Sequence, residues 1–179
     1  MKKIAKLGVM LGLIIVLGVG CEKKLPKIEK VDVVENISES INEGISKAII
    51  LKNESKYIDG QYAAESHETL QIDTVTELYR EEDGKRFVRA YVLASYGKYN
   101  LENDNYIRVA GSEVVPVILT FEKTSEGTIN LINYQVPNEK KDFEKEVKKM
   151  FPEELHEEIL NIDDETKQQI LKEEIEFFE

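Results

Sequence analysis

Thiols and imidazoles are the side chains best suited to nucleophilic, acid–base or metal chemistry near neutral pH, and this sequence has few of them. Cys21 is its only cysteine, and His67 and His156 are its only histidines, against 35 aspartates and glutamates. Each histidine is followed by a glutamate, in His67-Glu68 and His156-Glu157, but neither has a second histidine four residues on. A helical zinc-peptidase site needs that spacing to put two imidazoles on one face. A tetrahedral zinc centre would have to join both histidines with carboxylates from distant elements. A Ser-His-Asp triad has only the same two histidines to draw on, and no G-x-S-x-G elbow occurs. Glu102, Asp104 and Asn105 bring oxygen donors together without the spacing or terminal glutamate of a calcium loop, and read as turn residues. No glycine-rich phosphate loop follows a strand. The residues therefore assign no catalytic group, no metal ligand and no cofactor.

Cys21 is different because of what precedes it. Lys2, Lys3 and Lys6 lead into the uncharged run Leu7–Gly20, which ends in small residues directly before the cysteine. As a helix, 14 residues would span about 21 Å, short of the roughly 30 Å hydrocarbon core of a bilayer. A positive start, a short apolar region and a small-residue boundary form the layout of a secretory signal peptide. Leu17-Gly18-Val19-Gly20-Cys21 resembles a bacterial lipobox, with Gly18 where that family favours leucine and Leu17 one step earlier. The resemblance implies cleavage before Cys21 and a diacylglycerol on its sulfur. It makes Cys21 the lipid-attachment residue and places the protein on the extracytoplasmic face of the cell membrane. With its one thiol acylated, the mature chain would hold no disulfide and would depend on its hydrophobic core.

Removal of residues 1–20 would take away three lysines and no acid, leaving 35 acidic against 21 basic side chains, a net charge of −14. Such a chain is a poor partner for nucleic acid, whose affinity comes from phosphate neutralisation by Lys and Arg. It would also be repelled by anionic lipid, so acyl chains would have to supply the membrane attachment. Residues 21–35 are charged, contain Pro26 and read as a tether, which fully extended would reach about 45–50 Å.

Residues 36–179 read as one α+β domain. Asn36 with Glu39 fits a capping box, and Ile37, Ile41, Ile45, Ala48 and Ile49 recur at spacings of three and four, which predicts an amphipathic helix over 37–53. Strand patterns follow at 66–72, 75–79, 85–99, 106–110, 114–121 and 129–136, separated by short turn signals such as Asp59-Gly60 and Asp83-Gly84. The 85–99 stretch is apolar on both faces and predicts a central strand, while Pro116 predicts an edge or a bulge. Short loops predict antiparallel hairpins. Beyond Pro137 the period becomes helical. Phe143, Val147, Met150 and Phe151 share a face that stops at Pro152, Leu155 and Ile159 point inward from the next helix, and Asp163 caps a last helix carrying Ile170, Leu171, Ile175 and Phe178. Residues 153–179 hold eleven acids against two lysines. Glu173, Glu174, Glu176 and Glu179 oppose the helix dipole at its C-terminal end, which predicts a fraying last turn. The expected architecture is a helix packed on a curved antiparallel sheet of four or five strands, cystatin-like in topology, followed by two or three C-terminal helices.

Ile49-Ile50 before Tyr57, then Glu65-Ser66-His67, Gly111-Ser112, Pro116, Ile118-Leu119-Thr120-Phe121, Gly127, Leu131, Tyr134, Pro137 and Phe151-Pro152 occur in one order over residues 49–155. In this the domain resembles the extracytoplasmic C-terminal domain of clostridial BlaR-type sensor proteins. Glu113 stands where that family often has a histidine, and the family's peptidase helices, zinc motif and penicillin-binding signature are absent. The resemblance implies a fold and a lipid-anchored accessory domain, without peptidase or β-lactam chemistry. A non-catalytic binding or sensing domain is therefore the expected function. A hydrolase with a cleft that gathers His67 with carboxylates or with Tyr91, Tyr96 or Tyr99 is the alternative. A third reading is an accessory subunit of a membrane complex that docks a protein partner through the acidic C-terminal helices.

Overall fold

The computed structural model of the chain describes residues 41–75, 86–124, 128–138, 141–176 and 178. Cys21 with the run before it, the tether, the Asn36–Glu39 capping box, residues 76–79 and the turn signals at 83–84 and 127 lie outside them.

Helix α1 spans Ile41–Glu54 and buries Ile45, Ala48 and Ile49, the stripe that the three-and-four spacing predicts. It packs on a five-stranded antiparallel sheet made of β1 (Tyr62–Thr74), β2 (Arg86–Glu102), β3 (Asn105–Gly111), β4 (Val115–Lys123) and β5 (Ile129–Gln135). The order is β1-β2-β4-β5, with β3 paired to β2. Strand β2 is the longest at 17 residues and the centre of the sheet. Strand β1 lines one of its edges from Val88 to Tyr99, while β4 and β3 share the other, opposite Arg86–Ala94 and Gly97–Glu102. Residues 112–114 between them carry no strand pairing, and the chain bends there at Gly111, whose φ is +147°. A β-carbon on Gly111 would overlap the Tyr96 carbonyl oxygen, so only glycine lets the two strands approach at that bend.

Alternation along β2 gives the sheet two covered faces. Ala90, Val92, Ala94 and Tyr96 meet α1 together with Val117, Leu119, Phe121, Ile129 and Leu131. On the opposite face Tyr91 and Ile118 meet Val147, Phe151, Leu155 and Ile159. These last come from α2 (Phe143–Met150), Phe151 at its C-terminal cap, a 3₁₀ turn at Glu153–Leu155 and α3 (His156–Leu160). Apolar residues on both sides of β2 follow from this three-layer arrangement. Pro116 lies opposite Leu93, but pairing of β4 with β5 begins only at Ile118. The missing N–H of Pro116 therefore falls where β4 is locally an edge, although the strand is flanked on both sides farther on.

The last helix, α4, spans Asp164–Glu176 and packs on β1 and β2. Asp163 caps it as expected, its Oδ1 accepting the Thr166 N–H at 2.7 Å, and that bond holds its carboxyl below the usual range. The inward stripe differs from the expected one. Ile175 is exposed, whereas Ile170 and Glu174 are buried and Phe178 is covered by aromatic rings. Residues 170 and 174 lie four apart on one face of α4, which runs to Glu176 with an acidic side chain turned inward, and Phe178 follows past its end. Phe143, expected inward, is 42% exposed.

Candidate functional site

The inward Glu174 is wholly buried, and three donors converge on it. The Ser95 hydroxyl donates to Oε2 and the Tyr99 hydroxyl to Oε1, both from β2. Arg108 Nε, from β3, donates to Oε1 at 3.0 Å. Gly97 lies between Ser95 and Tyr99, and a β-carbon there would overlap Oε1, so glycine makes the space that the carboxylate fills. A buried charge without partners would be very costly, and this one is paired and hydrogen-bonded on both oxygens. Burial, the bond to Glu174 and its charge push the Tyr99 hydroxyl well above the usual tyrosine range, against the opposing pull of Arg108. One turn on, Phe178 stacks on Tyr106 with ring centres 4.2 Å apart and meets Tyr99 and Tyr62 edge-on.

Arg108 carries this network to the bend between β3 and β4. Its Nη2 donates to the Tyr96 carbonyl at 3.0 Å and to the Ser112 carbonyl at 2.5 Å. Ser112 in turn donates its N–H to the Tyr96 carbonyl at 2.8 Å and accepts the Tyr96 N–H on Oγ at 3.1 Å. The position of Ser112 is thus fixed from two directions.

Ser112 forms part of the wall of a cleft of about 230 Å³ between the C-terminal end of α1, the start of β4, the end of β5 and the start of α2. Ile49, Ala94, Val115, Pro116, Val136 and Phe143 give the cleft an apolar lining. Lys52, Lys56, Asn53 and Tyr134 supply polar groups, and no aspartate or glutamate lines it among the described residues. Asn53 donates through Nδ2 to the Ile49 carbonyl at 2.9 Å and to the Tyr134 hydroxyl oxygen at 3.3 Å. The Tyr134 proton has no acceptor among the described residues. Burial raises the Tyr134 pKa, with Asn53 pulling it down and the Glu65 charge adding to the rise, so the hydroxyl stays a donor at neutral pH. Lys47, Lys145, Lys148, Lys167 and Lys172 each pair with a carboxylate three or four residues away. Lys52 and Lys56 have each other at that spacing, and no ion pair joins either to a described residue.

The candidates singled out in the sequence are scattered. His67 lies in β1 on the α1 side, its Nδ1 3.0 Å from Glu65 Oε2 and its Nε2 3.5 Å from Asn42 Oδ1. His156 begins α3, with Nε2 2.9 Å from the Phe151 carbonyl. The two histidines are therefore tied to elements on opposite faces of the sheet, and no group of three His, Cys, Asp or Glu converges among the described residues. Of the tyrosines considered with His67, Tyr96 shares its face and stacks on Tyr57, while Tyr91 and Tyr99 belong to the other. Sequence reasoning missed Glu174, Arg108 and the cleft. Two signals were available: the 170/174/178 spacing, and a lysine pair four apart with no acid at that interval on either side.

Replacing Glu174 with Ala leaves the Ser95 and Tyr99 hydroxyls unpaired and Arg108 without its carboxylate. Stability should fall by about 3 kcal/mol, measured by urea denaturation, with Glu174→Gln losing less because an amide keeps the volume and some hydrogen bonds. Equal stability of the alanine variant and the parent would contradict the role given to this carboxylate. Tyr96, Tyr99 and Tyr134 are all raised above the unfolded tyrosine value of about 10. As pH rises, the unfolded chain loses these protons first. Their contribution is full below about pH 10 and declines above it. The urea midpoint should therefore hold up to about pH 10 and drop above it, less steeply in Tyr99→Phe, and an unchanged midpoint would contradict this sign.

Comparison with protein-family models, with characterised proteins and with solved structures finds no match to this chain.

Proposed function

We propose that this chain is a lipid-anchored extracytoplasmic protein whose domain binds a ligand without transforming it. The observation that supports binding is the cleft at the end of α1. It has apolar walls, and its polar groups include two lysines, the Tyr134 hydroxyl and Ser112, the last two held in place by hydrogen bonds. Fixed donors on an apolar wall orient a ligand. The support for an anchor is the sequence alone: three lysines, a 14-residue apolar run and Cys21 behind Gly20. In this reading the acyl chains on Cys21 hold the protein at the membrane and residues 22–35 let the domain stand off the head groups, as the acidic balance of the mature chain requires.

Cys21→Ser, which removes the acylated sulfur, should move the protein from the membrane fraction to the soluble fraction and abolish incorporation of a fatty-acid label. A variant that stays in the membrane or still takes up label would contradict the anchor.

A further inference from the structure

We propose that the cleft takes a small amphipathic carboxylate, an apolar body of aryl or short acyl type with a single anionic head; the proposal rests on the binding reading above and names the ligand class of that site. Size limits the body. At about 230 Å³ the cleft lies below the roughly 300–1,000 Å³ typical of sites for drug-sized ligands.

Charge sets the head. The chain carries a net charge of −11, yet its cleft shows two lysines and no acid among the described residues. Lys52 lies in the last turn of α1 and Lys56 two residues past its end, yet both line this cleft. The helix dipole would account for one lysine in the last turn of α1, Lys52, which its end attracts. It gives no reason for Lys56, beyond Glu54, to sit at the same rim 5.0 Å above the Tyr57 ring, with no carboxylate beside it among the described residues. An anionic head at this rim has both ammonium groups to attract it.

Hydrogen bonding sharpens the fit. Asn53 spends its amide protons on the Ile49 carbonyl and on the Tyr134 oxygen, which leaves the Tyr134 proton to donate. Ser112 Oγ accepts from Tyr96, which leaves its proton to donate as well. Two hydroxyl donors and two cations match the acceptor-only character of a carboxylate. Val136 and Phe143 are 46% and 42% exposed at this rim, apolar surface that the body of such a ligand would cover.

The test is a titration of the full chain in lipid nanodiscs with hydrocinnamate, followed by the methyl NMR signals of Ile49, Val115 and Val136. Hydrocinnamamide and inorganic phosphate serve as parallel probes. Saturable shifts with hydrocinnamate, weakened about tenfold or more for the amide and in Lys52→Gln/Lys56→Gln, and no shifts with phosphate, are expected. Both lysines lie at the rim and the double variant should keep the parent melting temperature, so a loss of affinity reports on the site. Equal affinity for acid and amide, or an unchanged affinity in the double variant, would overturn the carboxylate assignment and leave the binding reading standing. Phosphate acting alone on these methyls would also overturn it, in favour of a simple anion site. Shifts from none of the three probes would overturn both the assignment and the cleft as the binding face.

Discussion

A carboxylate buried to zero exposure needs partners, and much of this structure is arranged around the one that Glu174 demands. Strand β2 gives up a side chain at Gly97 to admit it and supplies the Ser95 and Tyr99 hydroxyls on either side. Strand β3 supplies Arg108. Helix α4 otherwise buries little apolar surface beyond Ile170 and the Phe178 ring one turn on, so its seat on the sheet is decided by polar matching more than by area. Breaking such a pair by removing one partner is strongly destabilising, because it leaves a buried charge without compensation. Here that pairing joins α4 to β2 and β3.

The same arginine links that seat to the cleft. From Glu174 the guanidinium reaches the Tyr96 and Ser112 carbonyls and pins the bend after Gly111. Ser112 then stands at the wall of the cleft on the far side of β2 from α4. From the other direction, α1 and the turn after it carry Lys52, Asn53 and Lys56 to the mouth, and Asn53 fixes the Tyr134 hydroxyl of β5. Asn53, Tyr134 and Ser112 are thus each held by a hydrogen bond, which lets them meet a ligand without first paying for their own ordering.

Most of the architecture was legible in the sequence because it rests on periodicity. Ile45, Ala48 and Ile49 named the inner face of α1, the double-sided apolar pattern of 85–99 named the central strand, and Leu155 and Ile159 named the inner side of the 3₁₀ turn and α3. The Glu174 network was not legible, because a reading from hydropathy places every glutamate outward and the partners, Ser95, Tyr99 and Arg108, lie 66 to 79 residues away. The gap between the 106–110 and 114–121 strand patterns is legible, but not that β3 and β4 lie in succession along one edge of β2. The cleft joins α1, β4, β5 and α2, and no local pattern announces such a meeting point. Only its unpaired lysines left a trace.

The dependence of the cleft wall on the buried carboxylate is tested most directly by native-state hydrogen exchange on the parent chain and on Glu174→Gln. The expected result is that amides of α4 and the reciprocal Tyr96 and Ser112 amides lose protection together in the variant, while α1 keeps its own. Loosening of α4 alone, with the Tyr96 and Ser112 amides as protected as in the parent, would contradict a link through Arg108.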